Sequence, residues 1–333
     1  MLYQPSEQST TELYQATLSE FALIKISGED SFEFLQNQLS QDLRIVTSTQ
    51  AQLATMSSAK GRVFANFLIW QDAEQDLPTY YACLQQDIAE QTQKRLSMFV
   101  LRAKVKVELA SAKICGIWGS NIEAISQRLA IAGHHSSPTI TTQTFTVNKN
   151  DNAFIIRYPS EGDHIRLLAI SLEGQAPLCS DCQQSSENHW YAQDIALGLP
   201  WICAATKELF VAQSINQDVL HAINFTKGCY PGQEVIARSH YRGSLKRRSV
   251  IGFVTPAIQD AKSLLATDIM QGEDIVGQIV NAVSLNDKTY VLFEIQLDAL
   301  NESADKALTL SAEPAATIEL MPLHYSLEKP EQA

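Results

Sequence analysis

Apolar residues along the chain recur in two rhythms, every second position in short runs and every third or fourth in longer ones. Residues 21–26 alternate apolar and polar and predict a strand, followed by a turn at Ser27-Gly28-Glu29-Asp30. Asp30 and Glu33 stand at capping-box spacing, and the helix they open carries Phe32, Leu35, Leu39 and Leu43 on one stripe. Its other face is rich in amides (Gln36, Asn37, Gln38, Gln41), which suits either a solvated surface or one turned to a ligand. Ser57 to Arg62 reads as a turn, 63–70 as a buried strand, 77–84 as another, 85–100 as a helix and 102–109 as a strand. A helix is expected over 119–133, closed by Gly133, and a polar loop over 174–188. Trp190 opens a helix over 191–197 that Gly198 and Pro200 end, and 209–223 holds a shorter helical stretch. After Arg248 only short strand patterns remain, at 249–254, 274–283, 289–295 and 316–319, with a turn at Asn286-Asp287. Strands and helices in alternation predict an α+β region, and the tail predicts a small closed β-barrel.

The length, 333 residues, exceeds what one core usually supports and implies two or three domains. Hydrophobic residues make up 45%, too many for a disordered chain, and the net charge of −12 disfavours a broad nucleic-acid face. The apolar runs are too short to cross a bilayer, and the first residues lack a basic start followed by an apolar stretch, so the expected compartment is the cytoplasm. Six dispersed cysteines do not form a disulfide framework, and reduced thiols are expected. Cys83 sits in an apolar strand and reads as a core residue. Cys179 and Cys182 form a C-x-x-C pair in a polar loop, but no second pair completes a zinc site and no helix follows as in a thioredoxin motif, so no metal is expected. Neither a Walker A pattern nor a G-x-G-x-x-G occurs.

The segment Lys227-Gly228-Cys229-Tyr230-Pro231-Gly232-Gln233-Glu234 concentrates chemistry. Two glycines and a proline force a tight loop around the cysteine. From Lys227 to Arg248 six Lys or Arg residues face one acid, a net +5 that leaves −17 for the rest of the chain. Nearby cations stabilise a thiolate, and such a patch suits an anionic small ligand or a limited stretch of nucleic-acid backbone. A buried structural cysteine in a solvated basic turn is the other reading, and the residues alone leave both open. Glu234 is placed to pair with Arg238 at i,i+4, and His240 is placed either to act on the cysteine or to face solvent.

This run, continued by Ala237-Arg238 and Tyr241-Arg242-Gly243, closely resembles the signature of the YgfZ family, folate-binding relatives of the glycine cleavage aminomethyltransferase (T-protein). The likeness extends to Phe34-Leu35-Gln36-Asn37-Gln38, Ala59-Lys60-Gly61-Arg62, Gly198-Leu199-Pro200 and Met321-Pro322-Leu323-His324-Tyr325. It implies an α+β, aminomethyltransferase-like fold: an intertwined folate-binding region over 1–245, with one ferredoxin-like module at roughly 50–115, and a β-barrel over 246–333. It also implies tetrahydrofolate or a derivative as cofactor, iron–sulfur enzymes as clients, and tRNA methylthiolation served indirectly. Cys229 is then the working thiol, with Trp190, Phe21, Lys227, Tyr230, Arg238 and Arg242 around folate. An exposed indole at Trp190 would stack on a pterin; buried, it would anchor the helix start. Phe21 stands where the family has a tryptophan, keeping the ring face but not the N–H. The aminomethyltransferases carry an aspartate in the stretch matching Gly61 to Asn66, where this chain has no carboxylate. That absence argues against aminomethyl transfer, which remains the alternative, and a direct tRNA-binding module is a third.

Overall fold

The computed structural model describes residues 13–120, 139–150, 153–160, 164–172, 182–241 and 245–328. The helix expected over 119–133, and Cys179 and Arg242, therefore lie outside the described residues. The chain enters with β1 (Leu13–Thr17), which joins a second sheet, and then builds a first antiparallel sheet. This contains β2 (Phe21–Ser27), β3 (Gln52–Ser57), β4 (Val63–Asp72), β5 (Thr79–Gln85) and β6 (Lys106–Ala110) in the order β3-β4-β5-β2-β6. Strands β3 and β5 are buried at every residue and β4 at nearly every one, which is why they read as continuous apolar runs rather than alternations. Helix α1 (Ser31–Gln38) follows β2, and α2 (Gln86–Val100) links β5 to β6.

The second sheet is formed by β1, β7 (Ala112–Gly119), β8 (Val147–Asn150), β9 (Ala153–Tyr158), β10 (Ile165–Leu172) and the two-residue β11 (Gln183–Gln184), in the order β11-β1-β7-β10-β9-β8. Aromatic contacts join the sheets: Phe154 of β9 meets Trp70 of β4 at 5.5 Å and Tyr81 of β5 at 5.3 Å. Helix α3 (Asn188–Ala196) lays Trp190 across β7. A Cβ at Gly116 would stand 2.4 Å from that indole, so only glycine permits the approach. Helix α4 (Gln233–Tyr241) precedes a closed barrel of β12 (Arg247–Thr255), β13 (Asp268–Gln271), β14 (Asp274–Leu285), β15 (Lys288–Gln296), β16 (Leu308–Leu310) and β17 (Thr317–Met321), with α5 (Leu297–Glu302) after β15. Val254, Ile269, Ile279, Val291 and Phe293 fill the barrel, while Ile251, Val280 and Leu292 belong to the cluster that runs through both sheets.

The barrel is tied to the rest by polar clamps as well. Arg248 of β12 donates to Asp218 at 2.6 Å and to the carbonyl of Gln213 at 2.8 Å, with both charged side chains almost fully buried. Asn281 of β14 donates to the Trp201 carbonyl and accepts from the Trp201 N–H. Tyr325 donates to the carbonyl of Gly198 and accepts from Asn216.

Three local expectations are corrected. Helix α1 ends at Gln38, so the stripe drawn to Leu43 leaves the helix; Phe34 is buried in place of Phe32, while Leu39 and Leu43 bury from the turn that follows. Asp30 does not cap α1, because its carboxylate accepts from the Lys104 N–H instead. Cys182 is disulfide-bonded, whereas Cys83, Cys115, Cys203 and Cys229 are free. No helix among the described residues is long and apolar enough to cross a membrane.

Removing one partner of a fully buried ion pair leaves an uncompensated charge. Asp218→Ala is expected to lower unfolding stability by about 3–5 kcal/mol, measured by chemical denaturation, with Arg248 the stranded group.

Candidate functional site

The Lys227–Glu234 loop is built from its ends inward. Asn224 opens it with an Asx turn, its Oδ1 accepting from the N–H groups of Thr226 at 2.9 Å and Lys227 at 2.8 Å. Lys227 then turns inward. Its Nζ donates to the carbonyls of Gln36 at 2.6 Å, Leu39 at 2.6 Å and Gln41 at 2.9 Å. These lie at and just past the C-terminus of α1, where a helix leaves carbonyls unpaired and its dipole favours a cation. Burial lowers the Lys227 pKa to about 8, with Asp42 acting in the opposite direction. The Tyr230 ring covers the ammonium at 5.2 Å, and burial pushes the Tyr230 hydroxyl pKa up. Lys227 is therefore a clamp between the loop and α1, and its charge is directed away from the solvent that Cys229 faces.

The other side of the loop is fixed by glycine. Gly232 has φ +82°, and a Cβ there would lie 2.5 Å from the Ser58 carbonyl and 3.0 Å from Gly61 Cα. Gly61 has φ +70° and meets Val235 of α4 in the same way. Both positions require left-handed backbone and close approach, so the Lys60-Gly61-Arg62 turn and the cysteine loop dock glycine to glycine. His240 of α4 stacks on Phe225 with ring centroids 3.7 Å apart, and the Ile236 carbonyl accepts from Gln213. Gly228 and Cys229 remain at the exposed tip.

The basic run loses much of its force in three dimensions. Lys227 and Arg248 are buried in structural contacts, Arg238 pairs with Glu234 at 2.9 Å on the surface, and Arg247 pairs with Glu294 at 2.8 Å. The exposed cations Lys60 and Arg62 join the region from a distant part of the sequence. The amides in and just after α1 divide as well. Gln36 donates to Asp42 and accepts from the Leu43 N–H, while Gln41 donates to the carbonyls of Leu53 and His221 and accepts from the Asp42 N–H. These two amides staple backbone segments together, a use that periodicity does not signal.

A second feature is a cleft between α3, the β1–β2 turn and the barrel, which sequence reasoning did not anticipate. One part, of about 200 Å³, is lined by Gln85, Tyr191, Asp194, Trp201 and Ser284 among others. An adjoining part, of about 290 Å³, extends to Asp87 and Cys203. Glu20, Gln85, Lys262, Asn281 and Ala282 line both, and Lys262 of the barrel reaches Glu20 at 2.7 Å. Phe21 is buried behind this wall, its ring 4.9 Å from Trp201 and 5.8 Å from Tyr191. Trp190 is fully buried, with Arg166 over its ring at 4.1 Å, so the exposed indole expected from the sequence is absent and the helix-anchor geometry is present. The cause is the Gly116 contact, which draws the indole into the sheet. Asp194 faces the cleft from α3 and is held by Arg166 at 2.7 Å and Trp201 Nε1 at 3.0 Å; burial raises its pKa, which Arg166 and Trp201 counteract.

These features can be set beside known proteins. No protein-family model matches the chain. A protein named tRNA-modifying protein YgfZ from Yersinia pseudotuberculosis serotype IB is 27% identical over 330 residues, 97% of this chain and 96% of the relative. Proteins of the same name from Shigella boydii serotype 4 and Escherichia coli strain SE11 are each 25% identical over 333 residues, 98% of this chain and 97% of theirs. The chain is similar to the YgfZ proteins over nearly its whole length. Among solved structures, the glycine cleavage system aminomethyltransferase T from Bartonella henselae superposes with a TM-score of 0.66 at 13% identity, over 92% of this chain and 84% of that one. The chain thus has the aminomethyltransferase-like fold, with its closed six-stranded barrel at the C-terminal end.

The Lys227 clamp has a pH signature. The unfolded side chain holds its proton to the ordinary 10.5 and the folded one to about 8. Between these values unfolding takes up a proton, so this group's contribution to stability rises with pH across that window and is flat below it. Unfolding curves collected at several pH values across the window are expected to show this rise in the wild type relative to Lys227→Met.

Proposed function

We propose that this chain is a folate-binding accessory protein that acts through the Cys229 thiol to maintain iron–sulfur enzymes and, through them, tRNA modification. The observation that carries this reading is the docking of the Lys60–Arg62 turn against the Lys227–Glu234 loop, which leaves Cys229 exposed on an otherwise rigid support. Exposure is the first requirement for a working thiol, and it separates Cys229 from Cys83, which is buried and whose pKa burial pushes up strongly. The role in tRNA modification rests on the name borne by the relatives.

Folate is the cofactor that the signature implies, and the cleft beside α3 is its candidate site. Trp201 and Tyr191, both largely buried, form the aromatic wall of the cleft. Gln85 offers an amide to the edge of a pterin, and Lys262, paired with Glu20, is the cation that lines both parts of the cleft. Phe21 and Trp190 act from behind, Phe21 by backing the two aromatic walls and Trp190 by seating α3 on β7. Lys227 and Tyr230 hold the loop, and Arg238 lies on its exposed rim. Bound there, folate would supply the reduced pterin, while the residues of the chain bind and orient it.

Aminomethyl transfer is less well supported. Asn66, in the stretch where the transferases carry their carboxylate, is buried with its amide donating to the Pro200 carbonyl at 2.7 Å and accepting from the Ile202 N–H at 2.8 Å. It braces the chain and holds no group suited to proton transfer at a nitrogen.

Two variants test separate parts of this reading. Trp201→Leu is expected to weaken tetrahydrofolate binding roughly tenfold or more in a fluorescence titration; unchanged affinity would remove the cleft from the proposal. Cys229→Ala is expected to bind tetrahydrofolate normally yet fail to restore iron–sulfur enzyme activity in cells lacking the protein. Full restoration would dispose of the thiol role.

A further inference from the structure

A third cavity, of about 410 Å³, lies where the β3–β4 turn, the segment before Ser214, the C-terminal half of α4 and the barrel meet. Its volume falls in the range of small-ligand sites, roughly 300–1,000 Å³. The charged groups in its lining are Arg62, Lys246, Arg247 and Glu294, a net +2 on a chain of net charge −12. Ser214 and Ser239 add hydroxyls. Three segments far apart in sequence supply these cations and hydroxyls, so the folded chain gathers charge that no linear run contains.

We propose that this cleft is a binding site for a phosphate group carried on a larger molecule, with Arg62, Lys246 and Arg247 as its cationic contacts. The argument rests on placement and on remaining donors. Arg62 is held by backbone pairing with Val211, by the Val63 N–H bonded to the Phe210 carbonyl, and by the glycine contact of its turn with the cysteine loop. One of its guanidinium nitrogens donates to the Leu209 carbonyl, which leaves its remaining N–H groups for a ligand. Arg247 uses one terminal nitrogen for Glu294 and the Val276 carbonyl, which likewise leaves donors. Lys246 is exposed and makes no ion pair among the described residues. Two guanidinium forks and an ammonium suit a phosphate better than a carboxylate, because a phosphate presents three oxygens to several donors at once. A cavity of this volume also has room for the organic group that bears the phosphate. Glu294 is the opposing charge, and its pairing with Arg247 sets a cost that a bound anion must overcome.

The phosphate has two possible sources, a small phosphate ester or the backbone of an RNA, and binding measurements separate them. The whole protein is titrated with ADP and, separately, with a short RNA hairpin over a range of salt concentrations. Saturable binding of ADP assigns the site to a small ester, and binding of the hairpin alone assigns it to RNA. In either case the double variant Arg62→Ala/Lys246→Ala is expected to weaken binding at least tenfold, and for RNA to make the salt slope shallower by roughly 1.4–1.8. Glu294→Gln is expected to tighten binding, which simple loss of structure would not produce. Binding of neither probe overturns the proposal, as does binding by the double variant at wild-type affinity and salt slope. Both substituted cations are exposed and stand apart from the cleft beside α3, so tetrahydrofolate binding should be unchanged in the double variant and serves as the control for folding.

Discussion

The cysteine loop depends on a buried ammonium. Lys227 places three N–H donors on three carbonyls at the end of α1, and this one contact joins a segment near residue 227 to one near residue 40. An ammonium is costly to bury, and the lowered Lys227 pKa records that cost. The arrangement persists because the end of a short helix would otherwise leave carbonyls unpaired in the interior. With the lysine anchored, the residues that follow have little freedom: Tyr230 packs over the ammonium and Gln233 closes back on the Lys227 carbonyl. Gly228 and Cys229 are what remains outside.

The same loop is held from its far side by Gly232 against Gly61. Lysine clamp and glycine contact act on opposite ends of the loop, and together they present the cysteine on a support that does not depend on the cysteine itself. The glycine contact also sets the turn that carries Arg62, so the exposed thiol and the third cavity share a structural element.

The remaining architecture follows from how sheets and barrel are joined. Close packing of Trp190 on Gly116 seats α3 on the second sheet, and Tyr191, Asp194 and Ile195 line the cleft beside it. Arg248 with Asp218, and Asn281 with the Trp201 backbone, then hold the barrel against that surface. The cleft beside α3 is the space these clamps leave between the parts, so it belongs to no single segment.

Much of the fold was legible in the residues. Period-two patterns marked β2, β12, β14 and β15, the period of the 85–100 stretch marked α2, and Gly198 with Pro200 marked the end of α3, because these signals arise from local geometry. The K-G-C-Y-P-G-Q-E run and the Lys60–Arg62 turn were likewise visible as motifs, since each needs particular residues to make its own bend. Tertiary structure decided what those residues do. Lys227 and Arg248, read as part of a cationic patch near the cysteine, are buried because partners distant in sequence satisfy them. Trp190, a candidate stacking surface, is enclosed because a glycine on another strand admits it. The contact of Gly61 with Gly232, the cleft beside α3 and the gathering of Arg62 with Lys246 and Arg247 depend on packing between remote segments, to which the periodicity and composition of any one segment are insensitive.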